Sequence, residues 1–218
     1  MVNLNSNASP STYLRKWLGC TLLPKSACGE VGQCESASGI YTLCMIESFF
    51  HDLDATGVKY LLISGQASVL YGAATFSEDI DLWLEPSQAN LERFRSVLSA
   101  HEARFYKLTP PFELEIMRRG HGFHFVLPEG SNETVFLDVM GCPPRTGAFG
   151  AARGRSKLLE TEWGVIPTIG IWDLVELKKT QRIEDYPIIG RLVLAAALQG
   201  MTRVEEVGRA LEIGRAHV

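Results

Sequence analysis

The sequence predicts an α+β domain: a small mixed β-sheet with helices on one face, plus a C-terminal helical portion. Three observations lead there. Short apolar runs of strand length alternate with segments whose apolar residues recur every three or four positions. A glycine turn, Ser64-Gly65-Gln66-Ala67, follows the apolar run Tyr60-Leu61-Leu62-Ile63. Shortly downstream, Asp79-Ile80-Asp81 opens a second run that ends at Leu84.

The elements follow in order. Residues 1–38 are rich in Ser, Gly and Asn and are expected to be an irregular arm, periodic only from Tyr13 to Leu18. From Ile40 to Ala55, Leu43, Ile46, Phe50 and Leu53 recur at helical spacing, and Asp54-Ala55-Thr56-Gly57 ends that helix. A strand over 59–63, a helix over 67–71 and a strand over 79–84 come next. Pro86-Ser87 starts a helix over 88–100, with Leu91, Phe94, Val97 and Leu98 on one side. Residues 113–118 and 122–127 are read as short strands, the second leading through the turn-rich Pro128-Glu129-Gly130-Ser131-Asn132 into a strand over 135–140. Ile166 to Ile169 is a last extended segment. Residues 171–179 predict a helix, with Lys178, Arg182 and Asp185 at i, i+4 and i+7 of one pattern, and residues 186–201 another despite Pro187 and Gly190.

With 218 residues and 46% hydrophobic content, the chain can form one domain with a sizeable core, expected over 39–211. Glu212 to Val218 is what translation of a common sequencing-adapter read yields, so the authentic sequence is expected to be interrupted near Leu211. Net charge is 21 − 25 = −4, with a pI near 5.8, so no global field draws in nucleic acid. An RNA partner needs a local patch, and Arg145, Arg153, Arg155 and Lys157 are the best candidate run. No stretch approaches the eighteen or so apolar residues that span a bilayer, and no signal segment opens the chain, so no membrane partner and a cytoplasmic location are expected. Cys20, Cys28, Cys34, Cys44 and Cys142 lack Cys-x-x-Cys spacing, which argues against a zinc site and a disulfide framework.

The chemistry concentrates at the acids. A strand repeats every two residues, so Asp79 and Asp81 project from one face, roughly 6–7 Å apart, while Ile80 and Leu82 point to a core. Such a pair can share two divalent ions about 3.5–4 Å apart, the separation that clamps attacking and leaving oxygens in phosphoryl displacement. Magnesium suits hard oxygen donors and triphosphates. Gly65 lets the backbone approach closely, and the helix that Gln66 begins offers free amides to phosphate. Asp138 lies alone at the centre of Val135-Phe136-Leu137-Asp138-Val139-Met140, a place that disfavours a charge lacking a partner. His121 and His124, three apart and so on different strand faces, are read as exposed strand residues.

Ser64-Gly65-Gln66-Ala67, Leu70-Tyr71-Gly72 and Ser77-Glu78-Asp79-Ile80-Asp81-Leu82 together resemble the signature of the DNA polymerase beta-like nucleotidyltransferase superfamily. More narrowly, they are similar to the minimal and the AbiEii-type toxin nucleotidyltransferases, with weaker resemblance running to roughly Leu192. The resemblance implies the nucleotidyltransferase fold and transfer of a nucleoside monophosphate from a nucleoside triphosphate such as ATP to an acceptor hydroxyl, on RNA or protein. It implies two Mg2+ ions on Asp79, Asp81 and Asp138, with Asp138 also serving as general base. It further implies a nucleotide site at Gly65, Gln66 and Ser77, completed by Lys178, Arg182 and Asp185, which resemble the Lys-x-x-x-Arg-x-x-Asp stretch of the AbiEii-type enzymes. A cognate antitoxin is the partner implied.

The chain also departs from that pattern. Many relatives carry Arg-x-Thr-x before the first aspartate, where Thr75-Phe76-Ser77-Glu78 stands here, so the Arg is missing and Ser77 replaces Thr. Two alternatives stay open. An antibiotic-modifying nucleotidyltransferase needs an acidic pocket for a cationic aminoglycoside, which Glu113 and Glu115 can supply. A nucleotide-binding module without turnover, half of a two-protein system, fits the missing Arg.

Overall fold

The computed structural model describes residues 38–129, 133–180 and 182–200. The arm up to residue 37 and the segment 201–218, with its adapter-like tail, lie outside the described residues.

Seven strands form one sheet in the order β3-β4-β5-β2-β1-β7-β6. They are β1 (Tyr60–Ile63), β2 (Asp79–Leu84), β3 (Arg104–Phe105), β4 (Gly122–Glu129), β5 (Glu133–Met140), β6 (Lys157–Thr161) and β7 (Gly164–Thr168). The β2–β5 and β1–β7 pairs are parallel and the other neighbours antiparallel, so the sheet is mixed. The helices are α1 (Ser38–Ala55), α2 (Ser64–Leu70), α3 (Gln88–Ala100), α4 (Leu114–Arg118), α5 (Phe149–Arg155), α6 (Ile171–Lys178) and α7 (Asp185–Leu198).

Strand alternation divides the apolar residues between two cores. On one face, Leu62, Ile80, Leu82, Phe123, Phe125, Leu137 and Val139 pack under α1 and α3, which contribute Phe49, Phe50, Leu53, Leu91 and Phe94. On the other, Leu61, Ile63 and Trp83 pack under α2 and the C-terminal helices through Ala67, Tyr71, Phe149, Leu174 and Leu192. The C-terminal helical portion thus sits across the sheet from α1 and α3. Two buried hydrogen bonds fasten that second layer: the Trp83 indole donates to Gly141 O at 2.8 Å, and the Tyr71 hydroxyl to Ile169 O at 2.7 Å.

Two local expectations are corrected. Residues 114–118 form helix α4, not a strand, because Met117 is buried in the first core with Leu114 and Ile116 beside it, a helical spacing. The helix begun at Ile171 stops at Lys178, so Lys178, Arg182 and Asp185 do not share one helix face. Its end is set by Thr180, whose hydroxyl accepts the Arg182 N–H at 3.1 Å and so gives the backbone an alternative to the helix. The basic run 145–157 contains α5, whose Phe149 and Ala152 are buried, and its exposed arginines are each tied to a neighbouring element. Arg153 donates to Tyr60 O at 3.2 Å, Arg155 forms a two-pronged pair with Asp173, and Arg145 donates to Glu176 O.

Candidate active site

The site forms where β1 ends and β2 begins, beside the second half of β5. In the ladders, Ile63 lies opposite Asp81, and Asp81 opposite Asp138. Asp79, Asp81 and Asp138 therefore share one sheet face, the face of Trp83, while Ile80, Leu82 and Leu137 point into the first core. After Ile63 the chain turns through Ser64 in the left-handed region, at φ 57. That conformation is uncommon for a residue with a Cβ. It lets the Ser64 hydroxyl and the Gly65 N–H both donate to the Asp81 carboxylate.

Gly65 is required by close approach. A Cβ there would lie 2.1 Å from Ser77 Oγ and 2.9 Å from Ser77 Cβ. The Gln66 side-chain amide donates to Ser77 O at 2.9 Å, which pins the loop before β2 to the start of α2. One N–H of that amide is thus engaged and the other remains a donor. Gly65→Ala is expected to lower stability by about 1–3 kcal/mol through this overlap. Thermal melts check it, and adding Ser77→Gly, which removes both clashing atoms, should restore most of the loss.

Asp138 has two partners that the sequence reading missed. His124, directly opposite it across β4–β5, places Nδ1 2.7 Å from Asp138 Oδ1, and the Tyr106 hydroxyl donates to the same oxygen at 3.3 Å. His124 is therefore not merely an exposed strand residue. The hairpin register that pairs it with Asp138 is the signal that reveals it. Lys107 follows, its ammonium 4.7 Å from the Tyr106 ring centroid, and its charge acts on Asp138 and Asp79. His121 is exposed and takes no part in this cluster.

Electrostatically the acids strain against one another. Burial, then the charge of Asp138, pushes the Asp81 carboxyl up to about 6, against the hydrogen bonds from Ser64 and Gly65. Burial and Asp138 also raise Asp79, with Lys107 opposing. Three hard-oxygen donors that repel each other fit a divalent cation such as Mg2+. Among the described residues, no three acid, His or Cys side chains are gathered tightly enough to ligate an ion as they stand.

Lys178 and Asp185 form a second cluster. They are 7% and 3% exposed, and Lys178 Nζ lies 3.0 Å from Asp185 Oδ1. Thr180 Oγ1 and Arg182 Nε donate to the other oxygen at 2.6 and 3.1 Å. Burial opposes the charged Asp185, but the bonds from Thr180 and Lys178 and the charges of Lys178 and Arg182 hold its carboxyl below the ordinary value. Arg182, 61% exposed, is the accessible cation of the group.

No family model matches the chain, and no curated protein sequence matches it. Among solved structures it is similar to ANT(2'')-Ia in complex with adenylyl-2''-tobramycin, with a TM-score of 0.50 and 12% identity over 81% of this chain and 99% of that one. The fold is that of a nucleotidyltransferase. Two further solved structures are similar to the chain. One is an antigenic nucleotidyltransferase-like protein from Paracoccidioides brasiliensis (TM-score 0.48, 14% identity, 81% of this chain and 94% of that one). The other is the antibiotic-resistance factor ANT(2'')-Ia in solution (0.46, 17%, 80% and 91%). Among the described residues no helix of this nucleotidyltransferase fold is long and apolar enough to cross a membrane.

Proposed function

We propose that the chain is a metal-dependent nucleotidyltransferase, moving a nucleoside monophosphate from a nucleoside triphosphate such as ATP to an acceptor hydroxyl on RNA or protein. The observation that carries this reading is the register of β2 and β5. It sets Asp138 opposite Asp81 on the face that also bears Asp79, beside the Gly65 turn. Two Mg2+ ions on Asp79, Asp81 and Asp138 would neutralise triphosphate charge and sharpen the acceptor oxygen as a nucleophile. Asp138 takes the acceptor proton on Oδ2, since both hydrogen bonds to it fall on Oδ1. The acceptor oxygen bonds to the α-phosphorus, the bond to the β-phosphate breaks, and pyrophosphate leaves. Gly65, Gln66 and Ser77 border the phosphates, and Arg182, steadied by Asp185 and Lys178, faces the developing charge.

Supporting a macromolecular acceptor over an aminoglycoside is the charge around Asp138. An aminoglycoside, such as the tobramycin joined to adenylyl in the ANT(2'')-Ia complex, is cationic, yet the charge of Lys107 already acts on Asp138. Glu113 and Glu115 supply no acidic pocket there, because α4 packs through Met117 into the core of the opposite sheet face and Glu115 pairs with Arg119. The AbiEii-type affiliation, with a bacterial cytoplasm and a cognate antitoxin, remains part of the proposal on the strength of Leu70-Tyr71-Gly72 and the Lys178, Arg182, Asp185 spacing.

Incubation with each labelled triphosphate, magnesium and total RNA or protein extract should yield a labelled macromolecule, and Asp79→Ala should abolish it. Labelling that persists in that variant, or labelling of kanamycin instead, would reject the reading.

A further inference from the structure

Toward β4 and β3, the second core covers the sheet only as far as the end of β5, where Met140 packs, among the described residues. Beyond Asp138 the acid-bearing face continues over β5, β4 and β3. Alternation and register place Phe136 there next to Asp138, then His124 and Val126, then Arg104, paired with Val126. Tyr106 extends this row, its N–H donating to His124 O at 3.3 Å. On the reverse face Phe125, Leu127, Val135 and Leu137 of β4 and β5 are buried and Phe105 of β3 is 50% exposed, whereas on this face Phe136, Val126, His124 and Tyr106 stay half-exposed and Arg104 and Lys107 are exposed. The aromatic rings adjoin: Tyr106 and Phe136 centroids are 4.9 Å apart, and Tyr106 and His124 6.0 Å. Among the described residues of these three strands, Asp138 is the one carboxylate on this face.

An open sheet face with ring surfaces, flanking cations and the acid that takes the acceptor proton at its inner border has a specific chemistry. Bases present flat π-faces to aromatic side chains, and phosphates seek Lys and Arg. A base-paired strand cannot offer its faces this way, and a polycation would meet Arg104 and Lys107 as like charges. We infer that this half-face is the acceptor platform, and that it holds the unpaired 3′ end of an RNA, stacked at Tyr106 and Phe136 and held at its backbone by Arg104 and Lys107. The terminal ribose hydroxyl then lies toward Asp138. The inference rests on the nucleotidyl-transfer reading for its purpose, but binding can be measured without catalysis.

The experiment is fluorescence anisotropy with a 5′-labelled single-stranded RNA of about ten nucleotides, and with the same strand annealed to its complement. The single strand should bind the wild-type chain more tightly than the duplex. Tyr106→Ala should weaken binding about tenfold, and Tyr106→Phe, which keeps the ring and loses the bond to Asp138, should stay within about twofold of wild type. Arg104→Glu with Lys107→Glu, both on exposed side chains, should weaken binding and flatten its salt dependence. Binding of this pattern without nucleotidyl transfer keeps the platform and overturns the transferase reading. Transfer to some acceptor, with RNA binding absent or indifferent to these variants, overturns the platform and leaves the transferase. Preference for the duplex also overturns it.

Discussion

Asp81→Asn is expected to cut nucleotidyl transfer by roughly a hundred- to a thousandfold while making the metal-free protein more stable. Both effects have one cause. The Asp81 carboxylate is buried beside Asp138 and Asp79, and its carboxyl is pushed up to about 6. At pH 7 the folded chain must hold that charge, at a cost of roughly 2–3 kcal/mol for a rise of this size. Asn removes the charge but can still accept from the Ser64 hydroxyl and the Gly65 N–H. The sign follows from linkage. An acid whose folded pKa is raised contributes stability that is fully present below its unfolded pKa, about 4, and lost as pH rises through about 6. In EDTA, the melting-temperature gain of Asp81→Asn should therefore be small at about pH 4 and reach roughly 5 °C at about pH 7. Excess Mg2+ should reverse the order at pH 7 by stabilising only the wild type. A variant less stable than wild type at pH 7 in EDTA would show that the acids are not under the repulsion described.

The largest loss of stability is expected at Lys178. Both members of its pair with Asp185 are nearly sealed from water. Lys178→Met leaves Asp185 buried with only Thr180 and the largely exposed Arg182 to answer it, and should cost about 3–5 kcal/mol. Lys178→Met combined with Asp185→Leu should recover most of that, because an apolar pair of similar volume avoids the desolvation of both charges. Arg182→Ala should cost less than about 1 kcal/mol, since exposed pairs contribute little. Thermal melts of the four proteins separate the cases. If Arg182→Ala destabilises as strongly as Lys178→Met, the connection between α6 and α7 is held differently from what the contacts imply. A Lys178 substitution that lowers activity must accordingly be judged against its stability before any role at the triphosphate is assigned.

The carboxylates were legible in the sequence because their signals are local. Alternation alone sets Asp79 and Asp81 on one face, and a lone acid within Val135 to Met140 announces itself. Gly65 was legible as a close approach, though its neighbour, Ser77, is known only from the fold. What escaped depends on pairing between distant segments. His124 meets Asp138 because 129 pairs with 133 at the hairpin and the register runs down from there, a count that needs the turn placed to the residue. Tyr106 and Lys107 follow a strand of two residues, too short to leave any period. Ser64 acts through a left-handed backbone that no side-chain pattern betrays. Lys178, Arg182 and Asp185 do meet, as their spacing implied, but through an ion-pair cluster between two helices and not through helical periodicity.

Metal binding beside a triphosphate is the most direct trial of the claim that Asp79, Asp81 and Asp138 form one cation-dependent site. Mn2+ can be titrated by electron paramagnetic resonance in the presence of a non-hydrolysable nucleoside triphosphate, at about pH 7.5 and again below about pH 5.5. Two Mn2+ ions per chain are expected at the higher pH, with markedly weaker binding at the lower one, where Asp81 holds its proton, and with binding lost in Asp81→Asn at either. Equal binding by the wild type and Asp81→Asn, or binding by neither, would contradict the site.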